Sequence, residues 1–319
     1  MNPPADIAAA LDAPHRDPDG TYFNPWRRFP VRFLDVLRWK LSPNPYRGAP
    51  KPPVPRVAND GAYLLRVGEP DSITWVGHST FAIHDGGDLV LTDPHWGPRA
   101  LVPPRLAPPG IPLEAAAGAK FAVLSHDHYD HLDAWTVRRL PAALPWFVPP
   151  GLGAWFRRRG RQAVELDWWQ SARVGRFEIT AVPVQHWSRR TFRPNRALWC
   201  GWMIESDHRR YFFAGDTGYF NGFSEIGRRF SPIDVALLSI GAYEPRWFMA
   251  YQHMDPEEAY RAFLDLGARF LLPMHWGVFD LTDEPVGLAP RVLAQVLAAR
   301  GGDPRVRTLA IGERWLPPA

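Results

Sequence analysis

The stretch "VLSHDHYDHLDAW" (residues 123–135) decides how this chain is read. From His126 to Asp133 it holds three histidines and three aspartates, in a chain with eleven histidines altogether. A polar, solvated loop is the bland reading. It leaves unexplained what comes before. "AKFAVLS" (residues 119–125) is an apolar run of strand length that opens directly onto the histidines. The pattern recurs. His186, Asp216 and His275 each follow another apolar run, in "RFEITAVPVQHW", "RRYFFAGDT" and "RFLLPMHWGVF". Strand ends along one edge of a sheet converge in space, so these side chains can share one site on loops held by a rigid scaffold.

The donors point to metal. Imidazole suits zinc, iron and manganese, and carboxylate suits harder ions. In H-x-H-x-D-H (His126, His128, Asp130, His131) four ligand types occupy six positions. That is too many for one tetrahedral ion with an open catalytic position. Two ions divide them better: His126 and His128 to one, Asp130 and His131 to the other. His186 then completes the first set, His275 completes the second, and Asp216 can bridge.

The rest of the chain sets the class. "SITWVGHSTFAIHDGGDLVLTDP" reads as three short strands with a Gly-Gly turn at residues 85–88. "WFVP", "ALWCGWMIES", "DVALLSIG" and a closing "RVRTLAIGERW" read as further strands. "DAWTVRRL", "GLGAWFRRRG", "DPEEAYRAFLDLGA" and "APRVLAQVLAAR" read as helices, the third with an Asp cap and Pro at its first position. Strands come first, then strands mixed with helices, which predicts an α/β (α+β) layered fold. Residues 1–55 are Pro-rich and read as an N-terminal appendage to a domain over 56–319. Within them "RRFPVRFLDVLRWKL" (residues 27–41) alternates basic with apolar residues at helical spacing. It is either a helix docked on the body or an amphipathic surface for anionic lipid.

These motifs carry a resemblance. H-x-H-x-D-H followed by a lone His, the Asp of "GDTG" and a last His is the signature of the metallo-β-lactamase superfamily. "SHDHYDHLD", "VPVQHWSRR", "LWCGWMI", "AGDTGY", "YQHMDPEEA" and "PMHWGVF" resemble the N-acylphosphatidylethanolamine-hydrolysing phospholipase D family, in order, over about residues 63–279. The resemblance implies a four-layer αββα sandwich with two Zn2+ at one edge, other divalent metals being admitted. It implies the ligand set His126, His128, Asp130, His131, His186, Asp216 and His275, all present here. It further implies that hydroxide generated on the metals cleaves a phosphodiester, with Asp130 orienting the nucleophile. The expected substrate is N-acylphosphatidylethanolamine or a related phospholipid.

Other residues gather round this set. Asp93 in "TDP" and His78 in "GHST" are candidates to orient the ligating imidazoles. His253 in "YQHMDPEEA" is either a helix-capping loop residue or a catalytic, substrate-side histidine for the phosphoryl or leaving oxygen. Trp187 and Trp276 directly follow ligands and are candidates to wall an apolar cleft. His95 takes no assignment. The single Cys200 excludes an intrachain disulfide and fits a reducing compartment. Net charge is +4, too small a basic excess to call for nucleic acid. No signal peptide or spanning segment is visible, so a cytoplasmic protein with peripheral membrane contact is expected, and a homodimer is admitted. A lactonase or other carboxylic ester hydrolase is the alternative enzyme, because the same metal chemistry attacks carbonyl carbon. A non-catalytic lipid-binding protein is the alternative outside enzymes, and the full ligand set argues against it.

Overall fold

The computed structural model describes residues 6–28 and 33–318. Residues 29–32 of the basic-apolar segment lie outside the described residues; from Phe33 the segment is helical. Six strands follow one another in the first sheet: β1 (Ser72–Gly77), β2 (Thr80–Asp85), β3 (Asp88–Thr92), β4 (Phe121–Val123), β5 (Trp146–Val148) and β6 (Ala163–Glu165). Six more form the second: β7 (Ser171–Val174), β8 (Phe177–Val182), β9 (Gly201–Glu205), β10 (Arg210–Phe213), β11 (Val235–Ser239) and β12 (Phe270–Met274). A last strand, β13 (Arg314–Trp315), returns to pair with β1. The sheet orders are β13-β1-β2-β3-β4-β5-β6 and β12-β11-β10-β9-β8-β7. Both are mixed: β3 to β6 and β10 to β12 run parallel, while the other pairs are antiparallel.

Side-chain alternation explains the layers. On the first sheet Ile73, Trp75, Phe81, Ile83, Val90, Phe121 and Val123 point to the core shared with the second sheet. Their neighbours Val76, Ala82, Leu91, Ala122, Trp146 and Val148 point the other way. A strand apolar on both faces must be covered on both. The helices supply the covers. They are α1 (Ile7–Leu11), α2 (Phe33–Leu41), α3 (Ala134–Arg139), α4 (Gly153–Arg157), α5 (Gly222–Phe230), α6 (Arg246–Met249), α7 (Pro256–Leu266) and α8 (Ala289–Ala298). Val137 of α3 and Phe156 of α4 pack on the outer face of the first sheet. Ile226 of α5, Phe263 of α7 and Leu293 of α8 join the core of the second. The result is helix, sheet, sheet, helix.

Local chemistry sets the turns. Gly86 and Gly87 join β2 to β3 with φ of 55° and 87°, the left-handed pair a two-residue hairpin needs. The predicted cap of α7 is a full capping box: Asp255 accepts from the Glu258 amide, and Glu258 accepts from the Asp255 amide. The closing strand is shorter than expected. Only Arg314–Trp315 pairs in the sheet, and the rest of "RVRTLAI" is tied by single bridges, Val306 to Leu271 and Ile311 to Arg56. Leu11, Tyr22 and Trp26 enter the main core, so residues 6–28 pack onto the body. Among the described residues no helix is long and apolar enough to cross a membrane.

Asp255→Ala should remove the cap of α7 and cost about 1 kcal/mol of stability. The urea unfolding midpoint should fall with an unchanged slope.

Candidate metal centre

Five loops leave the carboxyl ends of strands and meet. Asp93 follows β3, residues 126–131 follow β4, His186 follows β8, Asp216 follows β10 and His275 follows β12. Close packing requires a glycine before Asp216. Gly215 has φ +60°, and a Cβ there would lie 2.5 Å from Ser125 Cβ. Three other residues bear left-handed backbone without that freedom: His78 (φ 55°), Asp93 (φ 33°) and His275 (φ 63°). Such strain persists only where the surroundings enforce it.

The donors fall into two groups. His126 Nε2 and His186 Nε2 lie 2.9 and 3.3 Å from His128 Nδ1. Asp216 Oδ2 lies 3.1 Å from His131 Nε2 and 3.0 Å from His275 Nε2, and Asp130 Oδ2 lies 3.5 and 3.4 Å from the same two atoms. Asp216 Oδ2 is also 3.9 Å from both His126 Nε2 and His186 Nε2, so it stands between the groups. His126, His128 and His186 are close enough to hold one ion, as are Asp130, His131 and His275 with His78.

Hydrogen bonds show whether these atoms suit a cation. Asp93 accepts from the Ser125 amide (2.7 Å), from Ser125 Oγ (2.6 Å) and from His131 Nδ1 (2.6 Å). Ser125 Oγ, having donated, accepts from His126 Nδ1 at 2.9 Å. His186 Nδ1 donates to the Gln252 carbonyl at 3.0 Å. His126 and His186 are thereby left with a bare Nε2 facing the centre, while His131 turns its Nε2 to Asp216. His128 can lend a proton to one neighbour, and the remaining lone pair meets no donor. A cation satisfies all three nitrogens at once. Asp216 Oδ1 and His128 Nε2 are buried without partners, as expected of groups whose neighbourhood includes an ion.

Protonation agrees with this picture. Burial, reinforced by neighbouring imidazoles, holds His126 and His186 well below the usual histidine range, and burial takes His128 to about 4. These rings stay neutral, the ligating form. At His131 and His275 burial acts the same way, but the Asp216 and Asp130 carboxylates outweigh it. They push His131 well up and His275 to about 9. Without a cation those two rings keep protons as counter-charge to the carboxylates.

His78 Nε2 donates to Asp130 Oδ2 at 3.1 Å. His253 Nδ1 lies 3.9 Å from Asp216 Oδ2, and the capping of α7 falls to Asp255. His95 is buried against Phe279, with Nδ1 accepting from Arg105. Trp187 stands edge-on to His128, ring centres 4.7 Å apart, and lines a cavity of about 780 Å³. Trp276 does not line it. Its ring packs on Trp75 in the core, 4.7 Å away. The left-handed turn at His275 sends the next side chain inward. The cavity floor holds His128, Asp130, Asp216 and His253, and its walls include Val36 and Trp39 of α2 with Phe248 and Met249. Sequence reading missed Ser125, the Gln252 carbonyl and Arg190, whose Nη1 clamps the metal loop through the Asp127 and Leu132 carbonyls.

Comparison with known proteins decides the family. Residues 89–276 match the model described as the beta-lactamase superfamily domain. The chain belongs to the β-lactamase superfamily. An uncharacterized protein of Mycobacterium tuberculosis is 40% identical to it, covering 80% of this chain and 71% of the relative. N-acyl-phosphatidylethanolamine-hydrolyzing phospholipase D 1 of Caenorhabditis elegans is 38% identical, covering 76% of this chain and 74% of that enzyme. Igni18, a metallo hydrolase of the archaeon Ignicoccus hospitalis, superposes with a TM-score of 0.60 at 25% identity, covering 77% of this chain and 97% of that one. The protein is a metal-dependent hydrolase of the metallo-β-lactamase fold.

Two outcomes are expected. Metal uptake by the metal-free protein should release protons from His131 and His275, read with a pH indicator. Apparent affinity should rise with pH, and less steeply above about 9, where His275 has already lost its proton. Ser125→Ala should lower metal affinity about 10–100-fold with the fold intact by circular dichroism, because His126 loses its orienting acceptor.

Proposed function

We propose that this hydrolase cleaves the phosphodiester of a glycerophospholipid, in a phospholipase D-type reaction on N-acylphosphatidylethanolamine or a close relative. One observation carries the reading: the two ligand groups floor a cavity whose walls are largely apolar and whose only carboxylates, among the described residues, are Asp130 and Asp216. A phosphate bearing acyl chains fits that distribution. A headgroup ammonium finds no carboxylate beyond the metal cluster, whereas an acylated, uncharged nitrogen needs none. The name of the Caenorhabditis relative supports the same substrate class.

His126, His128 and His186 would hold one zinc ion, Asp130, His131 and His275 a second, with Asp216 between them. When bound, two such cations acidify water and neutralise charge on phosphoryl oxygens. The chain does the rest. Asp130 keeps some exposure to the cavity, 14% of its side chain, and accepts a hydrogen bond from the attacking water, which sets its direction. His253 borders the same space. Burial lowers it to about 3, so it acts as a neutral imidazole and donates an N–H to the phosphoryl or leaving oxygen. Trp187 and Phe248 exclude bulk water and hold the lipid.

The test pairs elemental analysis with hydrolysis of N-acyl phospholipids, unacylated phospholipids, bis(nitrophenyl) phosphate and lactones. About two ions per chain and preference for the N-acyl phospholipid are expected; one ion, or lactone turnover alone, overturns the reading. Asp216→Ala should lose metal and most activity. His253→Ala should retain both ions and lose ~10²–10⁴-fold on the phospholipid. Its loss on the nitrophenyl diester should be smaller, since that leaving group needs little help. Equal losses would assign His253 to positioning the phosphoryl group.

A further inference from the structure

The helix α2 carries two apolar faces. Val36 and Trp39 point into the cavity and form part of its wall. Leu34, Leu37 and Leu41, spaced three and four apart, occupy the opposite side, and all three are exposed. A helix apolar on two sides has two partners, and the body of the protein covers only one. Nor are the outer leucines alone. Fourteen large apolar side chains are exposed among the described residues, and seven lie in four segments around this cavity. Besides the leucines they are Leu101 and Val102 at one loop tip, Phe192 at another, and Trp247 on α6. Phe192 is 98% exposed, although an aromatic side chain ordinarily finds cover.

Charge identifies the missing partner. Residues 33–41, 98–105 and 187–196 expose five basic side chains, Arg38, Lys40, Arg99, Arg189 and Arg193, and hold one acid, Asp35, in a chain whose net charge is only +4. Apolar tips set among basic side chains suit the boundary of an anionic lipid bilayer, where rings and aliphatic chains enter the acyl region and cations meet phosphate. An acidic protein partner would satisfy the charge but not seat four separate apolar segments around a lipid-sized cavity.

The inner attachment of α2 is slight. Trp39 packs on Phe248 and Met249 in a small cluster separate from the main core. Trp39 Nε1 donates to Asp283 Oδ1 at 3.0 Å. An element held by so few buried groups opens at low cost. We propose that α2 is a gate whose outer face docks on an anionic bilayer, and that docking draws its inner face off the cavity and admits the lipid. This rests on the phospholipid reading and adds to it what controls entry.

Two variants and two readouts test it. Vesicles of phosphatidylglycerol and phosphatidylcholine should sediment the metal-loaded protein, less so at high salt. With Leu34, Leu37 and Leu41 all changed to serine, vesicle binding should fall about tenfold or more. The ratio of activity on vesicles to activity on a monomeric short-chain phospholipid should fall with it. Asp283→Ala releases the anchor of Trp39 and should raise the rate on the monomeric phospholipid without vesicles, shrinking the stimulation vesicles bring. Unchanged vesicle binding by the serine variant overturns the docking face. An unchanged stimulation ratio in Asp283→Ala overturns the gate. Vesicle binding without cleavage of any phospholipid would leave the docking face standing and remove the substrate reading instead.

Discussion

Everything at the centre depends on one buried carboxylate that holds no position in either ligand group. Asp93, wholly buried at the end of β3, takes hydrogen bonds from the Ser125 amide, from Ser125 Oγ and from His131 Nδ1. Through the first two it fixes the start of the histidine loop. Through the third it turns His131 so that Nε2 faces Asp216, and through the serine hydroxyl it does the same for His126. One charged group thus sets the direction of an imidazole in each group. Its own backbone is strained to do so, with φ of 33°. The cost is tolerable because a buried carboxylate left without three donors would cost more.

The two sheets are also joined where this matters. The Cys200 amide donates to the Ser125 carbonyl, and Trp202 Nε1 donates to the Leu124 carbonyl, so the second sheet grips the strand that delivers the loop. Residues from both sheets are thereby tied together beside the centre, the pre-organisation that a metal site requires.

How much of this was legible follows from where the information sits. H-x-H-x-D-H is contiguous, and the later donors each follow an apolar run, so which side chains the fold gathers at the centre could be read directly. The β1–β3 meander and the cap of α7 are likewise local patterns. Ser125 stayed hidden because a serine at a strand end looks like any other, and the Gln252 carbonyl because backbone atoms carry no residue signature. Trp276 misled because adjacency to a ligand says nothing of direction once the chain turns left-handed at His275. The edge strands β6 and β7 escaped notice because exposed strands such as "AVE" and "SARV" need no apolar alternation. The cavity wall from α2 and Phe248 is tertiary, joining parts of the chain that no spacing connects.

The early residues have a consequence for how the chain comes together. Asn24 donates to the His186 carbonyl across 162 residues, and accepts from Trp199 Nε1. The strand β1 waits still longer for its outer neighbour, since Ile73 pairs with Trp315 of β13. During synthesis the early segment therefore waits without its seat until His186 is made, and β1 keeps an open edge until β13 follows. Such chains close slowly, because distant segments must be found before their contacts repay the lost freedom. Open edges meanwhile invite pairing with other chains. Yield in a heterologous host should accordingly depend on growth temperature and on chaperone supply more than on the stability of the finished fold.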